Sequence, residues 1–217
     1  MSLALTEFEQ SEGVALLTLQ RPDKRNALSR ALRAEIVTRL EEADGDEAVS
    51  AVVLTGAGPA FCAGFDRTEF AEGGMAEVFA EANDYHRCVY HFAKPLIAAV
   101  NGPALGGGCD LAAMCDFRIA ATTAIFGQPQ VRFGAPALYP LMREVLPEGA
   151  AREMCLAGRT YSAEEARALG LVNRIHPLAE LLDASREVAC QIAALPEEMT
   201  SRAKRDFLDL QPRLFES

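Results

Sequence analysis

The stretch that decides the fold covers residues 94–110 and reads KPLIAAVNGPALGGGCD. Its apolar part, Leu96 to Val100, is short and follows Lys94-Pro95, which predicts a strand buried on both faces. Three glycines, Gly106 to Gly108, separate this strand from a helix predicted over Cys109 to Met114. A glycine backbone can approach a ligand closely, and the first N–H groups of a helix lack intrahelical partners. The stretch therefore predicts a site for an oxygen that gains negative charge, unless the glycines serve only tight helix–sheet packing.

The same order of strand, glycine-containing loop and helix recurs on both sides of this stretch. Ala51 to Thr55 is a β-branched run that leads into a glycine-rich turn over residues 56–66. Asp116 to Ala121 forms a third strand of this kind, and it leads into residues 125–130. Strands that alternate with loops and helices favour an α/β fold with a largely parallel sheet.

Further strands and helices are predicted before and after these units. Leu3 to Phe8 and Val14 to Leu19 are β-compatible runs that predict a hairpin. A helix is expected after a Ser29 cap, and a polar helix is expected over residues 75–92. From Leu141 onward the pattern is mostly helical.

Composition and charge limit the domain number and the class of partner. The chain has 217 residues, half of them hydrophobic, and no low-complexity linker. We expect a core domain over residues 1–190 and a short helical C-terminal segment over residues 191–217. A net charge of -10 argues against nucleic acid or an anionic membrane as the main partner. No signal-peptide pattern and no uncharged apolar run of ~18 residues is visible, so a cytoplasmic location is expected.

Several common types of site are excluded by their missing motifs. The six cysteines show no C-x-x-C pair or zinc-ligand spacing, so reduced, mostly buried thiols and no metal site are expected. Residues 56–61, GAGPAF, fail the dinucleotide-binding pattern because proline interrupts it and phenylalanine ends it. There is no phosphate-binding G-x-x-x-x-G-K-[ST] and no G-x-S-x-G elbow. Hydride transfer, nucleotide hydrolysis and a serine triad therefore lose their main support.

Two loops together resemble the signature of the enoyl-CoA hydratase/isomerase (crotonase) family. The first loop is FCAGFD at residues 61–66, and the second is the stretch 94–110. Further matches follow in the order of the family: RPDKRNAL at 21–28, DFRIA at 116–120, FGQP at 126–129 and a stretch over 157–173. The resemblance covers nearly the whole chain. It implies a crotonase-like spiral of repeated ββα units with a mostly helical C-terminal region, and it makes residues 191–217 short relative to typical relatives.

The resemblance also implies an acyl-CoA thioester as the substrate, with coenzyme A as part of it and no separate cofactor. The thioester carbonyl would accept hydrogen bonds from the backbone N–H groups of Ala63 and Gly107. The residues expected to contact the CoA thioester are Lys24, Arg25, Ala27, Ala63, Gly64, Phe65, Asp66 and Gly107. For Lys24 and Arg25 the alternative is a solvated surface turn. Because members of the family assemble as trimers or pairs of trimers, a homo-trimer or hexamer is expected.

The chain departs from the family at two catalytic positions. Hydratases of the family carry glutamates there, whereas this chain has Asp110 and Gln130. Asp110 follows Gly107 by three residues, which places both on one face of the predicted helix. It can move a proton at the carbon next to the thioester carbonyl, or it can serve only to stabilise the helix start. A glutamine can orient water, but it cannot transfer a proton at neutral pH.

These features leave two hypotheses for the function. The first is an enzyme that stabilises a thioester enolate during hydration or isomerisation, in a non-standard way because of Gln130. The second is a non-catalytic or vestigial paralogue that binds CoA thioesters. Some relatives use a histidine from the region of His86 and His91 as a base, but helix packing or a surface position is the expected role here. Tyr139 can reach the pocket in principle, and the sequence does not place it.

Overall fold

The computed structural model of the protein describes residues 4–215, and of residues 71–73 only the backbone. Its strands are β1 Thr6–Ser11, β2 Val14–Leu19, β3 Ala51–Gly56, β4 Leu96–Val100, β5 Ala104–Leu105, β6 Phe117–Ala121, β7 Ile125–Gly127, β8 Thr160–Ser162 and β9 Arg174–His176. Its helices are α1 Arg30–Gly45, α2 Arg67–Glu81, α3 Asn83–Tyr90, α4 Gly107–Met114, α5 Tyr139–Val145, α6 Glu148–Ala157, α7 Ala163–Ala168, α8 Leu181–Ala193 and α9 Glu197–Leu210. Short 3-10 turns cover Pro22–Lys24 and Pro129–Phe133.

The described strands form two sheets. The larger sheet has the order β1-β2-β3-β4-β6-β9; β1 and β2 pair antiparallel, and every later neighbour pairs in parallel. The smaller sheet has the order β5-β7-β8. After β4 in the larger sheet, the chain adds β5 to the smaller sheet and then forms α4; β6 and β7 repeat this step before α5. The predicted spiral of ββα units is therefore confirmed, as is the mostly helical C-terminal region with α5 to α9.

The central strands of the larger sheet are buried on both faces. In β4, Leu96, Ala98 and Val100 join the core formed with α1, α3 and α4, while Ile97 and Ala99 pack on the opposite face with residues of α8. All five side chains have no exposed surface. The continuous apolar run follows from this arrangement, because a parallel strand covered on both faces has no solvent side. No helix among the described residues has the length and apolar composition that crossing a membrane requires.

The N-terminal elements begin and end differently from the prediction. β1 starts at Thr6 and continues to Ser11, so the hairpin turn narrows to Glu12-Gly13, where φ is 54° and 79°. Of the predicted first strand, Leu3 lies outside the described residues. The Ser29 cap is confirmed, since its hydroxyl accepts a hydrogen bond from the Leu32 N–H at 3.2 Å.

The helix predicted over residues 75–92 is two helices, α2 and α3. α2 begins earlier than predicted, at Arg67, because the Asp66 side chain accepts a hydrogen bond from the Thr68 N–H and caps it. Gly74, with φ of 79°, interrupts the helical path inside α2. The division predicted between residues 190 and 191 falls within α8, which packs on the larger sheet.

A buried arginine ties the end of α4 to its surroundings. The Arg118 guanidinium donates hydrogen bonds to the carbonyl oxygens of Ala112 at 3.2 Å, Cys115 at 2.8 Å and Leu171 at 2.6 Å. The last carbonyls of a helix have no intrahelical donor, and here the cation supplies one. Because Arg118 is the second residue of β6, this contact fixes α4 against the sheet.

Replacing Arg118 should therefore be costly. In Arg118→Ala, buried carbonyls lose their donor, and we expect the free energy of unfolding to fall by at least about 3 kcal/mol. The matched control is Arg152→Ala, since Arg152 forms an exposed i,i+4 pair with Glu148 and should contribute less than about 1 kcal/mol. Urea unfolding followed by circular dichroism measures both. Equal losses in the two variants would contradict this role of Arg118.

Candidate active site

Two loops from different units are pressed together at the start of α4. A Cβ atom on Gly108 would lie 2.1 Å from the carbonyl oxygen of Cys62, a distance that no side chain can occupy. The same loops are joined by hydrogen bonds from the Cys62 N–H to the Pro103 carbonyl at 3.2 Å and from the Leu105 N–H to the Cys62 carbonyl at 3.0 Å. Only glycine fits at residue 108, and the loop over residues 61–66 is held against the beginning of α4.

This contact brings two backbone donors next to each other. The N–H groups of Gly107 and Phe65 have no acceptor among the described residues, and both residues line the same cavity. A Cβ atom on Gly64 would lie 3.2 Å from the Gly107 nitrogen, so the peptide group between Gly64 and Phe65 is adjacent to the helix start. A carbonyl oxygen placed between these donors would be polarised.

Ala63 is not one of the free donors, and the prediction for its N–H was wrong. The Ala63 N–H donates to the carbonyl oxygen of Arg25 at 3.0 Å. The segment around Leu28 explains why the Phe65 N–H is left unpaired. The Leu28 N–H donates to the Gly64 carbonyl at 2.8 Å, and the Asp66 N–H donates to the Leu28 carbonyl at 3.2 Å. In this strand-like pairing the Phe65 N–H points away from Leu28. The donor in this loop is thus two residues later than predicted.

The cavity next to these donors has a volume of about 750 Å³. Of the predicted site residues, it brings together Arg25, Ala63, Phe65, Gly107, Asp110 and Gln130. Those predicted residues that do not line it are Lys24, Ala27, Gly64 and Asp66. Lys24 is exposed beside Arg25, while the Asp66 carboxylate pairs with Arg21 at 2.9 Å and caps α2. The Asp66 side chain is therefore engaged in structure rather than turned to the cavity.

A buried asparagine shapes the segment that carries Lys24 and Arg25. Asn26 has no exposed surface and a φ of 54°. Its amide donates to the carbonyls of Ala57 at 2.9 Å and Ala60 at 2.8 Å, which belong to the glycine-rich turn after β3. The asparagine thereby joins the two segments. Sequence reasoning did not single out Asn26, because nothing in its immediate neighbours shows that its side chain is buried.

Asp110 is a buried carboxyl one turn into α4. Its side chain is 5% exposed and lines the cavity, and Oδ1 accepts a hydrogen bond from Nε2 of Gln128 at 2.7 Å. Burial raises the pKa of Asp110 from its ordinary value of 3.8 to about 7, because the charged form loses its hydration. The hydrogen bond from Gln128 opposes this rise only in part. A carboxyl of this kind can both accept and donate a proton near neutral pH.

Gln130 continues the same polar chain. It lies in the turn Pro129–Phe133, and its Nε2 donates to Oε1 of Gln128 and, at 3.3 Å, to the carbonyl of Pro136. Its own Oε1 is buried and has no partner among the described residues. The arrangement is two amides and one carboxyl in series, and only the carboxyl can titrate near neutral pH.

Comparison with known proteins agrees with this geometry. A family model described as enoyl-CoA hydratase/isomerase matches residues 9–210. The chain belongs to this family. A probable enoyl-CoA hydratase of Mycobacterium bovis is 38% identical over 215 residues, which cover 96% of this chain and 81% of the relative. The 2,3-dehydroadipyl-CoA hydratase of Escherichia coli is 40% identical over 193 residues, 85% of this chain and 72% of the relative.

Solved structures of the enoyl-CoA hydratase/isomerase family have the same fold. An enoyl-CoA hydratase/isomerase from Xanthobacter autotrophicus superimposes with a TM-score of 0.91 at 32% identity, covering 96% of this chain and 80% of that protein. An enoyl-CoA hydratase from Bacillus anthracis also gives a TM-score of 0.91, at 31% identity. The chain thus shares its fold with these two solved structures over most of its length.

His86 of this enoyl-CoA hydratase/isomerase family member lines the cavity, whereas helix packing or a surface position was the role expected from the sequence. It is 9% exposed, and its Nε2 has no partner among the described residues. Burial, with a smaller contribution from Arg33, lowers the pKa of His86 to about 4, so the ring is neutral at pH 7. His91 and Tyr139 are not among the residues that line this cavity.

The pKa of Asp110 predicts how the stability of this family member depends on pH. The folded-state pKa of about 7 lies above the ordinary value of 3.8, so the folded protein binds the proton more tightly than the unfolded chain. The protein therefore becomes less stable as the pH rises from 3.8 to about 7. We expect the difference in unfolding free energy between wild type and Asp110→Asn to fall by about 2–3 kcal/mol from pH 5 to pH 8. Urea titrations at each pH measure it, and the groups common to both proteins cancel. A difference that does not change with pH would refute the raised pKa.

Proposed function

We propose that the chain holds the carbonyl oxygen of a CoA thioester between the N–H groups of Phe65 and Gly107, and that Asp110 moves a proton at the adjacent carbon. One observation carries this proposal: two N–H groups without a partner among the described residues meet a buried carboxyl with a pKa of about 7 in one cavity. Buried titratable groups with shifted pKa values are typical of functional sites. Phe65 replaces Ala63 as the donor in the first loop.

The two backbone donors would stabilise the enolate. When a proton leaves the carbon next to the thioester carbonyl, negative charge moves onto the carbonyl oxygen. One fixed donor at such a position typically contributes ~10²–10³-fold in rate. The donors belong to the backbone, so only a substitution by proline removes them directly. Their effect depends on the contact between the two loops.

Asp110 is then the proton-transfer group of the proposed reaction. A pKa of about 7 keeps appreciable amounts of both the acid and the base at neutral pH, which is the condition for efficient transfer. Hydration needs a second group to deliver or receive the proton of water, and the amide of Gln130 cannot do so. Its unpaired Oε1 can accept a hydrogen bond from water or from the substrate. Isomerisation of a double bond, in which one carboxyl removes a proton and returns it elsewhere, fits this site better than fast hydration.

The CoA part of the substrate would lie along the exposed turn that precedes α1. Arg25 lines the cavity, and Lys24 is exposed beside it, so both charges can meet the phosphates of CoA. The net charge of -10 is a property of the whole chain and leaves room for a local positive region of this kind. CoA enters as part of the substrate, and the proposed reaction uses no further cofactor.

The second candidate is a protein that binds CoA thioesters without turning them over. One observation favours it. Asp110 accepts a hydrogen bond from the Gln128 amide, and the Gln128 amide in turn accepts one from Gln130. The carboxyl is thus held by protein groups rather than left free for the substrate. A carboxyl one methylene shorter than glutamate must also reach the reacting carbon. Both candidates require the same binding site, and turnover separates them.

Substitution of Asp110 tests the proposed reaction. With a panel of 2-enoyl- and 3-enoyl-CoA thioesters, we expect wild type to isomerise at least one substrate and Asp110→Asn to lose at least ~10²-fold in kcat, because the amide cannot transfer the proton. Stopped assays with chromatographic product analysis measure both reactions. The control is Asp84→Asn, since the Asp84 side chain is 83% exposed on α3 and should leave kcat unchanged. Binding of the thioesters by calorimetry without any turnover would instead support the binding protein.

We also propose a homo-trimer or hexamer. Leu156 and Leu210, 82% and 85% exposed, are apolar side chains of the kind that a subunit interface covers. Light scattering on the eluting protein should give three or six times the chain mass of 23.4 kDa. A mass of one chain at the concentrations used for the assay would contradict this assembly.

A further inference from the structure

Phe215 forms part of the wall of the proposed substrate cavity. Its ring is 6% exposed and lines the cavity together with the half-buried Leu214. It stacks on the His86 ring with a centroid distance of 5.1 Å and an angle of 22°. A residue far from the catalytic loops in sequence thus closes the cavity from the side of α3.

A second cavity begins behind this wall. It has a volume of about 580 Å³, and its lining includes Tyr90, Met114, Leu141, Ile192 and Phe207. The Tyr90 ring meets the Phe215 ring edge to face, with a centroid distance of 5.3 Å and an angle of 80°. Phe215 lines the first cavity and Tyr90 lines the second, so these two rings stand between the two spaces.

A chain of ring contacts leads from the backbone donors to this wall. The Phe65 ring contacts the His86 ring at 5.9 Å, and the His86 ring contacts Phe215 at 5.1 Å. A thioester carbonyl at the Phe65 N–H would direct its acyl chain along these rings. Phe215 is the third ring in this series, so an acyl chain that follows the rings reaches it.

We infer that Phe215 is a specificity-determining residue that limits the length of the acyl chain. This inference rests on the proposed function, which places the carbonyl at Phe65 and Gly107. A short acyl chain ends before the Phe215 ring, whereas a longer chain has to displace it. Removal of the ring opens a path beside Tyr90 toward the second cavity, whose lining combines apolar side chains with the charged ones of Asp116, Arg118, Glu144 and Lys204.

The expected effect follows from burial. Each additional methylene that enters an apolar space strengthens binding by about fourfold, and a chain that is blocked gains nothing or clashes. In wild type, affinity should therefore stop rising beyond short chains. In Phe215→Ala it should continue to rise, because the chain can extend into the freed volume.

The experiment is a calorimetric titration of wild type and Phe215→Ala with butyryl-, octanoyl- and dodecanoyl-CoA. We expect the ratio of dodecanoyl to butyryl affinity to be at least tenfold higher in Phe215→Ala than in wild type. The matched control is Phe207→Ala, which removes a ring from the second cavity and leaves the wall in place; its ratio should equal that of wild type. If circular dichroism shows that Phe215→Ala is unfolded, Phe215→Leu keeps an apolar side chain and should shift the ratio in the same direction.

The outcomes separate the two proposals. In one outcome, butyryl-CoA binds, but the ratio of dodecanoyl to butyryl affinity is the same in wild type and in the folded Phe215 variants. This result overturns the role of Phe215 and leaves the proposed function standing. An affinity that already rises steadily with chain length in wild type overturns it as well. If wild type binds none of the three thioesters, the proposed function fails, and the inference about Phe215 fails with it.

Discussion

The approach of two backbone segments at Gly108 and Cys62 is the constraint on which the site depends. Because no side chain fits at residue 108, the first turn of α4 lies directly against the loop over residues 61–66. This contact sets the direction of the Gly107 N–H, and one turn later it places Asp110 in the wall of the cavity. At the other end of α4, Arg118 binds the last carbonyls and anchors the helix to β6. Because this short helix is fixed at both ends, the main chain sets the position of the Gly107 N–H and of the Asp110 backbone.

Burial then decides the chemistry of those polar groups. The packing around α4 removes Asp110 from water and raises its pKa, whereas Gln128 and Gln130 stay neutral at any ordinary pH. Gln128 has no exposed surface, and its amide is shared between Asp110 and Gln130. Of these three residues, only Asp110 can therefore gain or lose a proton near neutral pH. The free energy that the fold loses by burying this carboxyl is offset by the surrounding apolar core.

The sequence predicts the parts of this structure that local chemistry controls. Leu96 to Val100 reads as a buried strand because both faces are covered, and Ser29 reads as a cap because its hydroxyl satisfies the helix start. The identity of the donor in the first loop was missed because it depends on pairing between Leu28 and the loop around Phe65, whose register is set by the whole fold. The position of His86 in the cavity wall was not predicted because its orientation depends on where α3 packs, and Gln128 was missed because its neighbours do not show that its amide bridges to Asp110.

The backbone origin of the two donors at Phe65 and Gly107 has a consequence for the history of such a site. In the proposed reaction, backbone groups would activate the carbonyl, while the side chains at positions 110 and 130 would determine where the proton goes. Mutation can exchange one of these side chains without erasing the other half of the machinery. Under the proposed function, a lineage with this scaffold can thus lose one reaction and acquire another while its members still bind CoA thioesters.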